Sequence, residues 1–405
     1  MKKKNALKKE RSFTQLQARN LALSAQGLDR KFPFGKGKAA ALETIRQLGY
    51  VQLDTLSVVA RAHHHTLWTR NGAYREVWLN ELMDEKSIFE YWSHAAAYLP
   101  MEDFRFSLVR KEEFRKGRSH WFQKDKKIMQ YVLDRIRAEG ALRAKDFETD
   151  RKRGSWFDWK PAKIALEQLF HDGTLMVAKR NGFQKVYDLT ERIVPAGTNT
   201  TLPSQEEYAA YLIRNNLRAH GIASLKDMTH LRRGMQTHVT KALKKMLAEG
   251  EIEKVPVENT ADDFFLFAGT EPAFSPKAKR PASVSFLSPF DNAIIRRERL
   301  VKLFGYDYAI ECYLPESKRK FGYFCLPVLY NGNFAGRFDP KADRANGIFY
   351  VKKFYLENPP EDMDAFLAAF AEALKGFAAF NGCEKIVIEK TEPAKLRAAL
   401  KVFLK

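Results

Sequence analysis

Cysteine is nearly absent from this sequence. Only Cys312, Cys325 and Cys383 occur, without the close pairing of a zinc site or the even count of a disulfide framework, which fits a reducing, cytoplasmic setting. No apolar run reaches the roughly twenty residues that cross a bilayer, and no lipidation motif appears. The start is Lys-rich but lacks the apolar segment and small-residue cleavage site of a secretory signal, so export is not expected. A Gly-rich phosphate loop, a nucleophile elbow and a paired-Cys motif are all missing, which leaves nucleotide-driven and Ser-hydrolase chemistry without support. Acidic side chains are the minority, and they do not form the clustered carboxylates of a metal-dependent nuclease.

What is abundant is positive charge. Lys and Arg total 69 against 49 Asp and Glu, a formal charge of +20, which points to a polyanionic partner. Lys2, Lys3, Lys4, Lys8 and Lys9 crowd the start, yet the excess runs through folded-looking sequence too, so a contoured basic face is expected and a basic tail alone is not. At 405 residues with 45% hydrophobic side chains, the chain exceeds one core and reads as three or four domains.

Two segments superimpose. Arg137-Ala-Glu-Gly-Ala-Leu-Arg-Ala-Lys-Asp146-Phe147 matches Arg218-Ala-His-Gly-Ile-Ala-Ser-Leu-Lys-Asp227-Met228. Ala165-Leu166 with Gly173-Thr-Leu175 then matches Ala242-Leu243 with Gly250-Glu-Ile252, a repeat of roughly eighty residues. Each copy predicts a helix (Ile128 to Ala138; Tyr208 to Ala219), a Gly-marked turn, a short helix, and a third helix (Pro161 to His171; Gln236 to Ala248). Short β-type runs follow, Thr174 to Val177 with Lys185 to Leu189, and Ile252 to Val257 with Phe264 to Phe267. Three helices and a hairpin describe a winged helix.

Helices are expected over Thr14 to Ser24 and Lys38 to Leu48, in a region that reads as a more diverged third copy. An aromatic, basic stretch spans Arg110 to Trp121, and Trp156 and Trp159 precede a third helix; core packing accounts for most of these rings. Beyond the Pro-rich linker Thr270 to Pro281 come β-type runs at Tyr308 to Leu314, Phe321 to Leu329, Phe334 to Phe338 and Ile348 to Tyr355, with Asn331-Gly332 as a hairpin turn. A helix over Met363 to Phe380 and a strand over Lys385 to Ile388 complete an α+β domain.

Chemistry concentrates between Val51 and Arg70. If Gln52 to Asp54 is extended, an amide and a carboxylate share one face and can orient and activate a water. Asp54 ahead of an apolar run reads equally as a helix N-cap, and both readings stand. His63, His64 and His65 on a helix point about 100° apart, too divergent for one metal ion. With Arg61 and Arg70 beside them, His63 and His64 are candidates for phosphate or base contacts. The turn Lys179-Arg180-Asn181-Gly182 is suited to phosphate, or is a solvated turn. Pro315-Glu316-Ser317-Lys318-Arg319-Lys320, between two expected strands, reads as a basic hairpin tip for a DNA groove or as a loop protecting a sheet edge.

Six motifs recur in a recognisable order: Val51-Gln52-Leu53-Asp54, Arg61-Ala62-His63-His64, Tyr91-Trp92-Ser93-His94, Leu287-Ser288-Pro289-Phe290-Asp291-Asn292, Phe304-Gly305-Tyr306 and Lys341-Ala342-Asp343-Arg344. Spanning nearly the whole chain, they resemble the YcaQ/AlkZ family of winged-helix DNA glycosylases. The resemblance implies an α+β protein with winged helices over 1–120, 121–198 and 199–270, and a C-terminal domain of antiparallel strands over 282–405. It implies a Gln-x-Asp catalytic motif at Gln52 and Asp54, of the branch that unhooks interstrand crosslinks, hydrolysing the N-glycosidic bond of N7-alkylated purines. It implies no metal or cofactor, duplex DNA as partner, and a cytoplasmic, nucleoid-associated monomer. The competing expectation is a winged-helix transcriptional regulator without catalysis.

Overall fold

The computed structural model describes residues 11–117, 123–147, 161–271 and 283–404. The Lys-rich start, Trp121, Trp156, Trp159 and most of the Pro-rich linker lie outside the described residues. The chain forms two compact units, one from residues up to Tyr74 together with Ala209 onward, the other from Arg75 to Tyr208.

The first unit opens with α1 (Gln15–Ala25), started by a reciprocal capping box between Thr14 and Gln17. Helix α2 (Gly37–Leu48) ends at Gly49, whose φ of 73° is left-handed. A Cβ there would strike the side chain of Asn215, so conformation and space both demand glycine. Then come β1 (Val51–Gln52), an irregular segment, and α3 (Ala62–Arg70).

In the second unit, α4 (Val77–Asp84) leads to the antiparallel pair β2 (Ile88–Trp92) and β3 (Ala96–Pro100), then α5 (Phe104–Arg115). A module follows: α6 (Lys126–Glu139), β4 (Leu142–Arg143), a 3₁₀ turn over Ala144–Phe147, α7 (Pro161–His171), β5 (Leu175–Asn181) and β6 (Gln184–Leu189), then the short α8 (Thr190–Ile193). Its sheet order is β4-β6-β5.

The chain returns to the first unit within α9 (Gln205–His220) and repeats the pattern: β7 (Ala223–Ser224), α10 (Leu225–Met228), α11 (Gln236–Ala248), β8 (Ile252–Val255) and β9 (Phe264–Phe267), ordered β7-β9-β8. The repeated aspartate has a physical basis. Asp146 accepts from the Arg143 N–H at 2.8 Å and Asp227 from the Ser224 N–H at 2.9 Å, so each fixes the same turn between strand and short helix.

The C-terminal region contains β10 (Val284–Phe286), α12 (Arg297–Phe304), β11 (Leu326–Tyr330), β12 (Asn333–Asp343), β13 (Ile348–Leu356), α13 (Met363–Phe380), β14 (Lys385–Glu392) and α14 (Leu396–Leu404). Its sheet is ordered β10-β11-β12-β13-β14. Asn331 and Gly332 make the expected two-residue turn, with Tyr330 paired to Asn333. β14 runs parallel to β13 because α13 carries the chain back between them, so the sheet is mixed and not wholly antiparallel. Phe286, Phe338, Phe349, Phe354, Phe370 and Phe377 fill its core, and Val59 and Ala62 join the same cluster. The segment before α3 therefore packs as part of this domain.

One expectation fails here. Tyr308 to Leu314 is not a strand, β11 starts only at Leu326, and Pro315 to Lys320 is a loop with a 3₁₀ turn over Glu316–Lys318. The Glu311 carboxylate accepts from the N–H groups of Lys320, Phe321 and Gly322 at 3.0, 2.8 and 3.1 Å. Asp339 takes those of Tyr323 and Phe324 at 3.0 and 2.8 Å. Side-chain carboxylates thus claim the donors a hairpin ladder would need.

Candidate active site and its supports

β1 ends after Gln52, which is 8% exposed. The chain then bends through residues 53–61, where the Asp54 carboxylate accepts from the Leu56 N–H at 2.8 Å. This is a side-chain turn of the Asx kind. No helix begins until Ala62, so the N-cap reading of Asp54 is set aside. The carboxyl group is half-buried, and burial raises its pKa above the ordinary carboxylate range, against the pull of the Leu56 and Thr55 N–H groups. Its charge is felt in the loop between α12 and β11: burial, then the Asp54 carboxylate, pushes the Cys312 thiol up, and burial, with Cys312 and Asp54 adding to it, does the same to the Tyr313 phenol. Tyr313 is 71% exposed, so the carboxylate sits beside an open aromatic surface.

Residues far away in sequence hold this segment from behind. Asn292 donates to the carbonyls of Leu48 and Tyr50 at 3.3 and 3.1 Å, just ahead of β1. Its neighbour Asp291 receives both guanidinium nitrogens of Arg70 at 2.7 and 3.0 Å. On α3, His65 Nε2 lies 2.9 Å from the Phe286 carbonyl. The Leu287 to Asn292 motif is thereby accounted for as a brace under α3 and the entry to β1. Gly305 closes α12 in the left-handed region, and the Tyr306 hydroxyl donates to the Gly336 carbonyl at 3.0 Å.

The expected DNA contacts fare unequally. Arg70 is corrected: its side chain is 0% exposed and its donors go to Asp291, Gln26 and Thr66, so it has no atom to offer a phosphate. His63 is buried. His64 is half-buried with Nδ1 2.8 Å from the Tyr74 hydroxyl, and burial, helped by Arg61, lowers its pKa to about 3. Neutral, the His64 imidazole lacks the charge that attracts phosphate, and burial encloses His63. Arg61 is half-buried at the start of α3.

In the second unit Lys179 is exposed, but Arg180 forms a two-pronged pair with Glu90 at 2.7 and 2.8 Å, its side chain only 8% exposed. The β5–β6 turn itself is Gly182-Phe183, since Asn181 pairs with Gln184. Lys318 and Lys320 are exposed, while Arg319 bonds the Leu314 carbonyl at 2.9 Å and lies over the Tyr323 ring. Sequence reasoning overlooked Lys241, Lys244 and Lys245, exposed on α11 opposite the buried Val239, Leu243 and Met246. Their spacing at i, i+3 and i+4 was the available signal.

A family model for AlkZ-like DNA glycosylases matches residues 45–380. The chain belongs to the AlkZ-like DNA glycosylase family. The match begins just ahead of β1 and ends at the last residue of α13, so it takes in the Asp54 segment and its braces. The chain is also similar in fold to the Streptomyces sahachiroi DNA glycosylase AlkZ, with a TM-score of 0.61 over 94% of this chain and 100% of that one, at 16% identity. Membership identifies a DNA glycosylase, an enzyme whose substrate is DNA, and accounts for the charge of +20. No helix among the described residues is long and apolar enough to cross a membrane.

Proposed function

We propose that this AlkZ-like glycosylase hydrolyses the N-glycosidic bond of N7-alkylated purines, interstrand crosslinks included, with Gln52 and Asp54 handling the water. The observation that carries the reading is the half-buried Asp54 carboxylate, fixed in its own turn and raised in proton affinity by burial, beside the open surface around Tyr313. A purine alkylated at N7 is cationic. When its bond to C1′ breaks, the electron pair neutralises the base and the positive charge passes to the sugar. A carboxylate opposite C1′ stabilises that charge, then takes the proton of the water that adds there, while the Gln52 amide orients the water. No metal or cofactor is needed, and the product is an intact strand with an abasic site.

A base tied to the opposite strand cannot swing freely out of the helix, and a carboxylate near the surface suits such a substrate. The exposed Lys179, Lys318 and Lys320 are assigned to DNA contact. The order α2, β1, α3, α4, β2, β3 along residues 37–100 matches the helix–strand–helix–helix–strand–strand order of the two repeated modules, which supports three winged helices.

The test is single-turnover base release from duplexes carrying an N7-alkylguanine monoadduct or an N7-linked crosslink. Asp54→Asn is expected to lower the rate by about 10² to 10⁴ with DNA affinity nearly intact and an alkali-labile product. Because burial raises the Asp54 pKa, the native rate should fall on acidification at a pH above that of an ordinary aspartate. No release by the native protein, together with tight sequence-selective binding, would instead favour the regulator.

A further inference from the structure

The segment that carries Asp54 has no regular structure from Leu53 to Arg61, yet three of its backbone groups are held by the C-terminal domain. The first hold arises from sheet register. β11 covers β12 only as far as Phe338, while β13 pairs on to Asp343, so residues 339–343 of β12 present an edge that β11 does not reach. The Ala342 N–H on that edge donates to the Val58 carbonyl at 3.0 Å. Arg344, just past the strand, donates to the Ser57 carbonyl at 3.4 Å. The third hold is Asn381, at the C-cap of α13, whose side-chain oxygen accepts from the Ala60 N–H at 2.6 Å and from Arg344 at 3.2 Å. Its amide nitrogen donates to the Phe377 carbonyl at 2.8 Å, which fixes the orientation of the carboxamide. Asn381 is 2% exposed, whereas Arg344 is exposed.

We propose that Asn381 and Arg344 are positioning residues for Asp54, fixing the backbone of residues 57–60 so that the turn carrying the carboxylate keeps its place. This rests on the role of Asp54 proposed above. The chemistry needs it: beyond the packing of Val59 into the core, a segment without a ladder of its own relies on such point contacts to resist displacement, and a shift of about 1 Å in a reacting group can cost about a hundredfold in rate. The Leu56 N–H that grips Asp54 lies one residue from Ser57, so slack at Ser57 loosens that grip. Neither positioning residue touches the carboxylate itself in the hydrogen bonds described.

The experiment is single-turnover base release from N7-methylguanine duplex across pH, with saturation curves and unfolding midpoints, for the native protein, Arg344→Ala, Arg344→Lys, Asn381→Ala and Asp54→Asn. Arg344→Ala is expected to lower the maximal rate about tenfold or more, to leave half-saturation within about threefold and the midpoint nearly unchanged, and to move the acid limb of the pH–rate profile upward. Arg344→Lys should recover most of the rate. The limb moves because a loosened turn withdraws the N–H that favours the carboxylate form. Cys312 and Tyr313, the other titratable groups that feel Asp54, are both raised and act on the alkaline side.

Asn381→Ala should repeat the effect; if it unfolds, Arg344→Ala decides the matter alone. An unchanged rate and acid limb in Arg344→Ala, with Asp54→Asn still inactive, overturns the positioning role and leaves the proposed function standing. A change confined to half-saturation makes Arg344 a phosphate contact and also overturns it. No release by the native protein removes both readings.

Discussion

Replacing Arg70 by Met should damage the fold and leave the DNA interface alone. Arg70 donates to Asp291 twice, to the Gln26 carbonyl at 2.7 Å, to the Gln26 side chain at 3.2 Å and to the Thr66 carbonyl at 3.1 Å. Both members of the ion pair are 0% exposed at the side chain. Truncation strands a buried carboxylate with only its local Ala293 N–H at 2.9 Å, and breaking one side of a buried pair costs about 3–5 kcal/mol. The double variant Arg70→Met, Asp291→Leu removes the stranded charge, so its cost should be clearly smaller than the two single costs added. Urea unfolding followed by fluorescence gives these differences, and DNA titration at several salt concentrations runs alongside. The reasoning is refuted if Arg70→Met keeps the native urea midpoint while the log–log salt slope of DNA binding shrinks by about 0.9, the signature of one lost phosphate contact.

Lys111 offers a test of buried charge in the second unit. Its ammonium has no hydrogen-bond partner among the described residues and sits 4.0 Å from the Phe104 ring centre and 4.8 Å from that of Tyr91, and burial, then Arg115, lowers its pKa to about 7. The unfolded chain holds this proton up to about pH 10, so the lysine's contribution to stability rises with pH from about 7 to 10. Lys111→Met should stabilise at pH 7 by about 1–4 kcal/mol and flatten that rise in thermal unfolding at pH 7 and 9; an unchanged slope would contradict it. The neighbouring cations of the β5–β6 hairpin should separate cleanly. Lys179→Ala is expected to reduce the DNA salt slope by about 0.9 with unfolding unaffected, and Arg180→Ala to keep the slope and lower the unfolding midpoint, since it takes the two-pronged partner from the buried Glu90 and leaves it Lys185 at 3.9 Å.

Several elements could be read directly from the chain because their causes are local. The third helices of both modules and α13 have the bounds expected of them, since the apolar period lies within each segment. The Asn331-Gly332 turn likewise needs only its own backbone preference. Elsewhere the decisive partner is remote. Arg70 reads as a free cation beside histidines, yet its carboxylate lies 221 positions on. The loop after α12 has strand-like composition, but Glu311 and Asp339 claim its N–H groups, and a hydrophobic pattern carries no record of that. The Gln52 and Asp54 motif was visible in sequence, while Asn381, the residue gripping its segment, had no motif to mark it.

The hydrogen bond from Ala60 to Asn381 closes a span of 321 positions, which puts synthesis itself into the picture. The nascent chain presents Asp54 first, and the amide that steadies its segment emerges only after the whole span between them has been translated. At about 5–20 residues per second that interval is roughly 15 to 60 s. A polypeptide released from the ribosome within it would carry the charge that finds DNA before acquiring the geometry we assign to cutting out a base.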